Sequence, residues 1–195
     1  LDSNLDHVLV HTGQNYDFEL NKSFFNDLKI PSPKYYLNVD TGSLGKVLGE
    51  ILIKIEPILL SEKPDAVLIL GDTNSSIAAI IVKRYHIPIY HMEAGNRSFD
   101  FNVPEEINRR IIDHIADFNL VYTEHSRRHL LTEGLHHRRI YLTGSPMKEI
   151  LDHYSEKIEK SEIVSTLKLQ NDNYFLISLH REENVDRVNS LKKII

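Results

Sequence analysis

The sequence predicts an α/β fold, a Rossmann-like doubly wound parallel sheet filling most of the chain. Three observations carry that prediction. Short apolar runs of strand length alternate with longer amphipathic stretches, the order expected of parallel strands joined by crossover helices. Ala66–Leu70 (AVLIL) is apolar throughout, as a central parallel strand covered on both faces requires. Helix boundaries are also marked, with Pro104 at a start and Gly134 at an end.

The elements follow in order. His7–His11 reads as a strand and Asn15–Lys29 as a helix. Gly42–Leu60 reads as a long helix, kinked where Pro57 removes a backbone donor. Within it, Thr41-Gly42-Ser43-Leu44-Gly45-Lys46 lacks the length and spacing of a phosphate loop, so a helix start is the preferred reading. After the Ala66–Leu70 strand, Asn74–Tyr85 reads as a helix with Thr73 or Asn74 as its N-cap. Ile87–Met92 is the next strand. Pro104–Asp117 follows as a helix, with Glu105 and Glu106 at the positive end of its dipole. Phe118–Tyr122 is a strand, Glu124–Glu133 a helix closed by Gly134, and Arg139–Leu142 a short strand. Ser145-Pro146 opens a further helix by the N-cap and first-position rule. The charged stretch 155–173 reads as a helix and linker, and Tyr174–Leu179 (YFLISL) starts a new strand. The expected organisation is therefore an N-terminal domain over 1–154, a helix and linker over 155–173, and the beginning of a second domain over 174–195.

Bulk properties narrow the function. The 195 residues are 41% hydrophobic, enough for one α/β domain and the start of another. Zero cysteines exclude disulfides, Cys-based zinc sites and thiol nucleophiles. The net charge of −5, with Lys and Arg scattered among acids, argues against a nucleic-acid partner. The sequence carries no apolar run of membrane-spanning length and no signal-peptide pattern. A cytoplasmic enzyme with no membrane partner fits these facts. His125 and His129 lie four apart on a helix with His136 and His137 nearby, but a solvated face is the preferred reading over a metal site.

In open α/β sheets, ligands bind at the carboxyl ends of the strands. That rule selects four turns: His11-Thr12-Gly13-Gln14, Gly71-Asp72-Thr73-Asn74, Glu93-Ala94-Gly95-Asn96-Arg97 and His180-Arg181-Glu182-Glu183. Glu105 and Arg109 share a face of the helix after the third turn. Each residue has an ordinary alternative. Asp72 suits a helix cap, Glu93 a dipole partner, Glu105 with Arg109 a surface pair, and His180 a satisfied core position. Gathered at one sheet edge, the carboxylates would raise one another's pKa and serve as acid and base. Spacing alone supports a polar ligand or proton chemistry there and names no substrate.

The ordered motifs His11-Thr12-Gly13-Gln14-Asn15-Tyr16, Gly71-Asp72-Thr73, His91-Met92-Glu93-Ala94-Gly95, Pro104-Glu105-Glu106-Ile107-Asn108-Arg109, Thr143-Gly144-Ser145-Pro146 and His180-Arg181-Glu182-Glu183-Asn184 resemble those of the non-hydrolysing UDP-N-acetylglucosamine 2-epimerases. The resemblance implies the first half of a two-domain, glycosyltransferase-B-like fold with a UDP-sugar cleft between domains. It implies a homodimer as full-length protein, and neither metal nor cofactor. It further implies abstraction of the C2 proton, loss of UDP to give a glycal, and re-addition of UDP. By motif match, Asp72, Glu93 and Glu105 are the catalytic acids. Arg109, His180, Gln14 and Arg97 are the substrate-binding residues. The run Glu93 to Asp100 with its short path to Pro104, Asp113-His114, and His180 to Asp186 resemble the branch that makes UDP-N-acetyl-L-fucosamine. Against the family pattern, the first strand and nearly all of the second domain are missing, so this stretch by itself is expected to be inactive. A hydrolysing epimerase or a glycosyltransferase of the same fold, and a non-catalytic UDP-sugar-binding module, are the competing readings.

Overall fold

The computed structural model describes residues 4–13, 25–170, 173–178 and 188–194. They fall into two compact units, Leu1–Ser145 and Pro146–Ile195.

The first unit is a parallel α/β structure. Strands β1 (Val10–His11) and β2 (Tyr35–Tyr36) pair with each other. Strands β3 (Val67–Leu70), β4 (Ile89–Met92), β5 (Phe118–Val121) and β6 (Ile140–Leu142) form a four-stranded parallel sheet in that order. Every neighbour in this sheet is also the next strand in sequence, so each connection crosses over through helix. The intervening helices are α1 (Leu44–Glu62), α2 (Ala79–Arg84), α3 (Pro104–Ile115) and α4 (Glu124–Thr132).

Local chemistry explains most boundaries. Ser43 Oγ accepts the Lys46 N–H at 3.3 Å and starts α1, so the Gly-Ser-Leu-Gly-Lys run is a capped helix start. Pro57 lies inside α1, which continues to Glu62 and stops at Lys63, in the left-handed conformation. Thr123 caps α4 through Ser126 N–H, and Pro104 opens α3 at its first position. Ile55 and Leu59 of α1 pack with Ala79 and Val82 of α2, Ile89 of β4, and Ile112 of α3. A second cluster joins Val121, Leu130, Leu135 and Ile140 under α4.

Several expectations are corrected. β3 is an edge of its four-stranded sheet, and Leu68 and Leu70 are 44% and 63% exposed. The period-two alternation turns them away from the helices, onto a face that no described element covers. Asn74–Ala78 is a 3₁₀ turn before α2, and Thr73 makes no side-chain cap bond. β2 carries no strand signal read in the sequence. Ser145 does not cap the helix Met147–His153 (α5), whose cap position is Pro146. The Asn15–Lys29 helix falls largely outside the described residues.

In the second unit, α5 is followed by α6 (Ser155–Glu159) and α7 (Ile163–Thr166) where one helix is expected, with α8 at Val188–Ile194. Residues 174–178 pair with no strand among the described residues. No helix among the described residues is long and apolar enough to cross a membrane.

Candidate active site

The site residues project from the turns that follow β3 and β4 and from the first turns of α3. Gly71 follows β3 with φ +74°, and its N–H bonds Met92 O at 3.1 Å, extending the ladder by one residue. Asp72 follows, and its carboxylate pairs with Arg109 Nη2 at 2.7 Å. Glu93 follows β4 with φ +67°, a conformation that costs a non-glycine residue about 1–2 kcal/mol. Its Oε1 accepts Asn96 Nδ2 at 3.1 Å. Its Oε2 lies 3.9 Å from where a Cβ on Gly71 would stand, so the Glu93 carboxylate sits against the Asp72 turn. Glu105 is half-buried in the first turn of α3, with no side-chain hydrogen bond among the described residues.

The structure thus brings Asp72, Glu93 and Arg109 to one end of the parallel sheet. Arg109 is held by two carboxylates, Asp72 and, at 3.4 Å, Glu106. It does not pair with Glu105, its expected partner four residues back. Its buried Nε has no hydrogen-bond acceptor among the described residues. Arg97 is engaged by other groups of the protein. Its side chain is fully buried, bonding Asp113 Oδ2 at 2.7 Å and clasping Glu133 at 2.7 and 2.5 Å. Three hydrogen bonds to carboxylates and one to the Asn96 carbonyl oxygen engage most of the guanidinium's donors, so Arg97 braces the turn that carries Glu93. Gln14 and His180 lie outside the described residues.

Some contributors escape the sequence reading. Glu106 is the fully buried acid of the Pro104-Glu105-Glu106 start. It accepts Ser98 N–H at 2.9 Å, Ser98 Oγ at 3.0 Å and Arg110 Nε at 2.9 Å. Burial pushes its carboxyl up, but the Ser98 and Arg110 donors more than offset this and hold it below the usual range. Tyr122, just after β5, has its phenol pushed up by burial and then by the Glu93 charge. Asp113 and His91 are likewise fully buried. The available signal was a polar stripe, Glu106, Arg110 and Asp113, at helical spacing on α3. Of the four clustered histidines, His129 Nδ1 bonds Gly95 O at 3.0 Å and the His136 and His137 rings meet at a tilt. No group of three or more His, Cys, Asp or Glu that could hold a metal ion occurs among the described residues.

The ion-pair network has a pH consequence. Arg97 holds the Glu133 carboxyl below the usual glutamate range, with Arg110 and His114 adding to the effect. A depressed carboxyl contributes stability above the unfolded pKa of about 4.3, and the contribution is lost as pH falls through the lower folded value. Glu133→Gln should therefore cost about 3 kcal/mol near neutral pH and flatten the acid limb of the stability curve. Thermal melts from about pH 3 to about pH 7 check this. A variant that parallels wild type at every pH would contradict it.

Fold and site together define a class: a parallel-sheet α/β protein presenting carboxylates and an arginine at the carboxyl end of the sheet. The family profile described as UDP-N-acetylglucosamine 2-epimerase matches residues 1–195. The chain belongs to the UDP-N-acetylglucosamine 2-epimerase family. It superposes with a TM-score of 0.89 on a UDP-N-acetylglucosamine 2-epimerase from Rickettsia bellii, at 52% identity over 99% of this chain and 52% of that one. It superposes equally, with a TM-score of 0.89 at 41% identity, on the Methanocaldococcus jannaschii UDP-GlcNAc 2-epimerase in complex with UDP-GlcNAc and UDP, covering 99% and 54% of the two chains. It is 36% identical to the UDP-2,3-diacetamido-2,3-dideoxy-D-glucuronate 2-epimerase of Pseudomonas aeruginosa, over 98% of this chain and 54% of that protein. The chain spans about half the length of the curated relatives it matches.

Proposed function

We propose that the protein of which these residues form the catalytic face inverts C2 of a UDP-2-acetamido sugar by elimination and re-addition of UDP. The observation that carries this reading is the meeting of the Glu93 carboxylate with the Asp72 turn in a chain of this family. In the proposed mechanism Asp72, Glu93 and Glu105 supply proton transfer and its support, a base taking the C2 proton from one face and an acid returning it on the other. Expulsion of UDP breaks the C1–O bond and leaves a glycal, and its re-addition restores that bond. Arg109, whose partly exposed side chain lies beside Asp72, is proposed to meet a sugar or diphosphate oxygen. Arg97 supports the Glu93 turn. His180 and Gln14 complete the proposed ligand set. The working state is proposed as a cytoplasmic homodimer of the full-length protein, serving surface-polysaccharide synthesis.

The finer reading is the UDP-N-acetyl-L-fucosamine branch, with UDP-2-acetamido-2,6-dideoxy-L-talose as substrate. The loop Asn96–Val103 supports it: Phe99 and Phe101 are 68% and 64% exposed and rest on His129 and Arg110. Two exposed phenylalanine rings beside the Glu93 turn suit a methyl at C6 better than a hydroxymethyl, whose hydroxyl would go unpaired against them. UDP-N-acetylglucosamine is the second reading, favoured by the names of the Rickettsia and Methanocaldococcus relatives.

The test is to incubate the full-length protein with each UDP-sugar in heavy water and follow C2 by NMR. Deuterium at C2 of an intact UDP-sugar is expected, with the L-sugar turned over at least about tenfold more efficiently. Epimerised product without label would sink the mechanism. Free UDP as the end product would indicate a hydrolysing enzyme, and bound sugar without exchange a binding module. Comparable efficiency on UDP-N-acetylglucosamine would refute the branch.

A further inference from the structure

We propose that His91 and Asp113 form a buried positioning pair that holds the Asp72 and Glu93 turns at a fixed spacing, with His91 acting as a doubly protonated imidazolium. The inference rests on the proposed reading of Asp72 and Glu93 as the reacting acids.

The argument begins with donors and acceptors. His91 lies in β4, in register with Ile69 and Asn119 on the flanking strands, and is 1% exposed. Its Nδ1 is 2.8 Å from Asp113 Oδ1, and its Nε2 is 3.0 Å from the Gly71 carbonyl oxygen. A carbonyl can only accept. Asp113 also receives Gly95 N–H at 3.3 and 3.2 Å and Arg97 Nη1 at 2.7 Å. Donors approach both of its oxygens, and with the Arg97 guanidinium on Oδ2 the proposal assigns the proton of the Nδ1···Oδ1 bond to the ring. Both ring nitrogens then donate. A neutral ring would set a lone pair against an oxygen in a dry interior, leaving a buried group unpaired.

The charge arithmetic is consistent with this. The ionised groups facing the pair are Arg97 from the loop after β4 and, behind it, Glu133 from the end of α4. Asn119, from β5, is neutral and donates to the Asp113 backbone carbonyl at 3.0 Å. Two cations, His91 and Arg97, alternate with two anions, Asp113 and Glu133, so burial of the imidazolium is compensated.

The covalent neighbours give the pair its function. The carbonyl that His91 holds belongs to the Gly71–Asp72 peptide, so the bond fixes the plane from which the Asp72 side chain departs. Glu93 is two residues beyond His91 on the same strand. The Gly95 amide that Asp113 holds belongs to the Ala94–Gly95 peptide, the second after Glu93, whose φ of +67° needs such restraint. One hydrogen-bonded unit on β4 and α3 thus sets the directions of two carboxylates on two different turns. His91 and Asp113 are positioning residues and touch no reacting atom. Misplacement of reacting groups by about 1 Å costs on the order of 10²-fold in rate.

The experiment compares two conservative variants in the full-length protein. A glutamine amide reaches roughly the Nε2 position and keeps the donor to Gly71, whereas an asparagine amide reaches roughly Nδ1 and loses it. His91→Asn is expected to lower kcat by about 10²-fold with KM within about threefold, and His91→Gln to recover at least about tenfold of that loss. If His91 only fills space, both folded variants will keep kcat within about threefold of wild type, which overturns the proposal. A His91→Asn variant as fast as His91→Gln also overturns it. Should either variant fail to fold, nitrogen NMR of the wild-type His91 ring decides. Protons on both nitrogens at neutral pH uphold the pair, and one bare nitrogen overturns it. The ring measurement needs no substrate, so a wild-type protein that epimerises nothing would refute the functional reading and leave the pair to be judged by NMR alone.

Discussion

Asp72→Asn, Glu93→Gln and Glu105→Gln are each expected to cut turnover by about 10²-fold or more, the range typical of acid–base groups. The three should differ in kind. Asp72 anchors Arg109 at 2.7 Å, so Asp72→Asn also frees the guanidinium and should raise KM along with lowering kcat. Glu93→Gln keeps the left-handed backbone and removes only the charge, so kcat alone should fall. Glu93→Gly separates the two roles of that position. It abolishes proton transfer yet relieves the backbone strain, and should raise stability by about 1 kcal/mol. Glu105 is not tied to a partner among the described residues, so Glu105→Gln should leave the melting temperature unchanged. Steady-state kinetics beside thermal melts read all four. Near-normal turnover in every acid variant would return these residues to caps and surface pairs.

Gly95→Ala is expected to destabilise the protein by about 2–5 kcal/mol, enough to unfold a marginally stable domain. Its φ of +79° already disfavours a side chain. A Cβ there would also stand 2.4 Å from the Ser126 carbonyl oxygen and 2.9 Å from its carbon. Both atoms are backbone in the first turn of α4, so no side-chain rotation relieves the contact, and the helix must move off the β4 turn. Gly134→Ala is the control. Its φ of +90° is equally left-handed but its Cβ would meet nothing within 4 Å, so it should cost only about 1–2 kcal/mol. Urea denaturation of the two variants measures the difference. Equal losses would mean that the close approach of α4 contributes nothing.

How much was legible follows from the range of the physics involved. Apolar period, caps and breakers act over a few residues, and so β3 to β6 and helices α1, α3 and α4 were all readable within a few residues of their observed ends. The strand-end rule placed Asp72 and Glu93 together, because in a parallel sheet every strand points its carboxyl end the same way. The sequence by itself therefore determined the fold class, the sheet edge where Asp72 and Glu93 meet and, through its ordered motifs, the family. Only the tertiary structure decided which charges are spent on structure. Arg97 and Arg109 look alike in the sequence, each a few residues beyond an acid. Arg97 is enclosed by Asp113 and Glu133, which come from α3 and the end of α4, whereas Arg109 reaches across to Asp72 and stays partly exposed. Glu105 and Glu106 are adjacent, yet helical geometry turns one toward the core and leaves the other half-exposed. Those assignments depend on partners up to 37 residues away, Asp72 to Arg109, and pairing over such separations is set by the packing of helix on sheet, which no local pattern encodes.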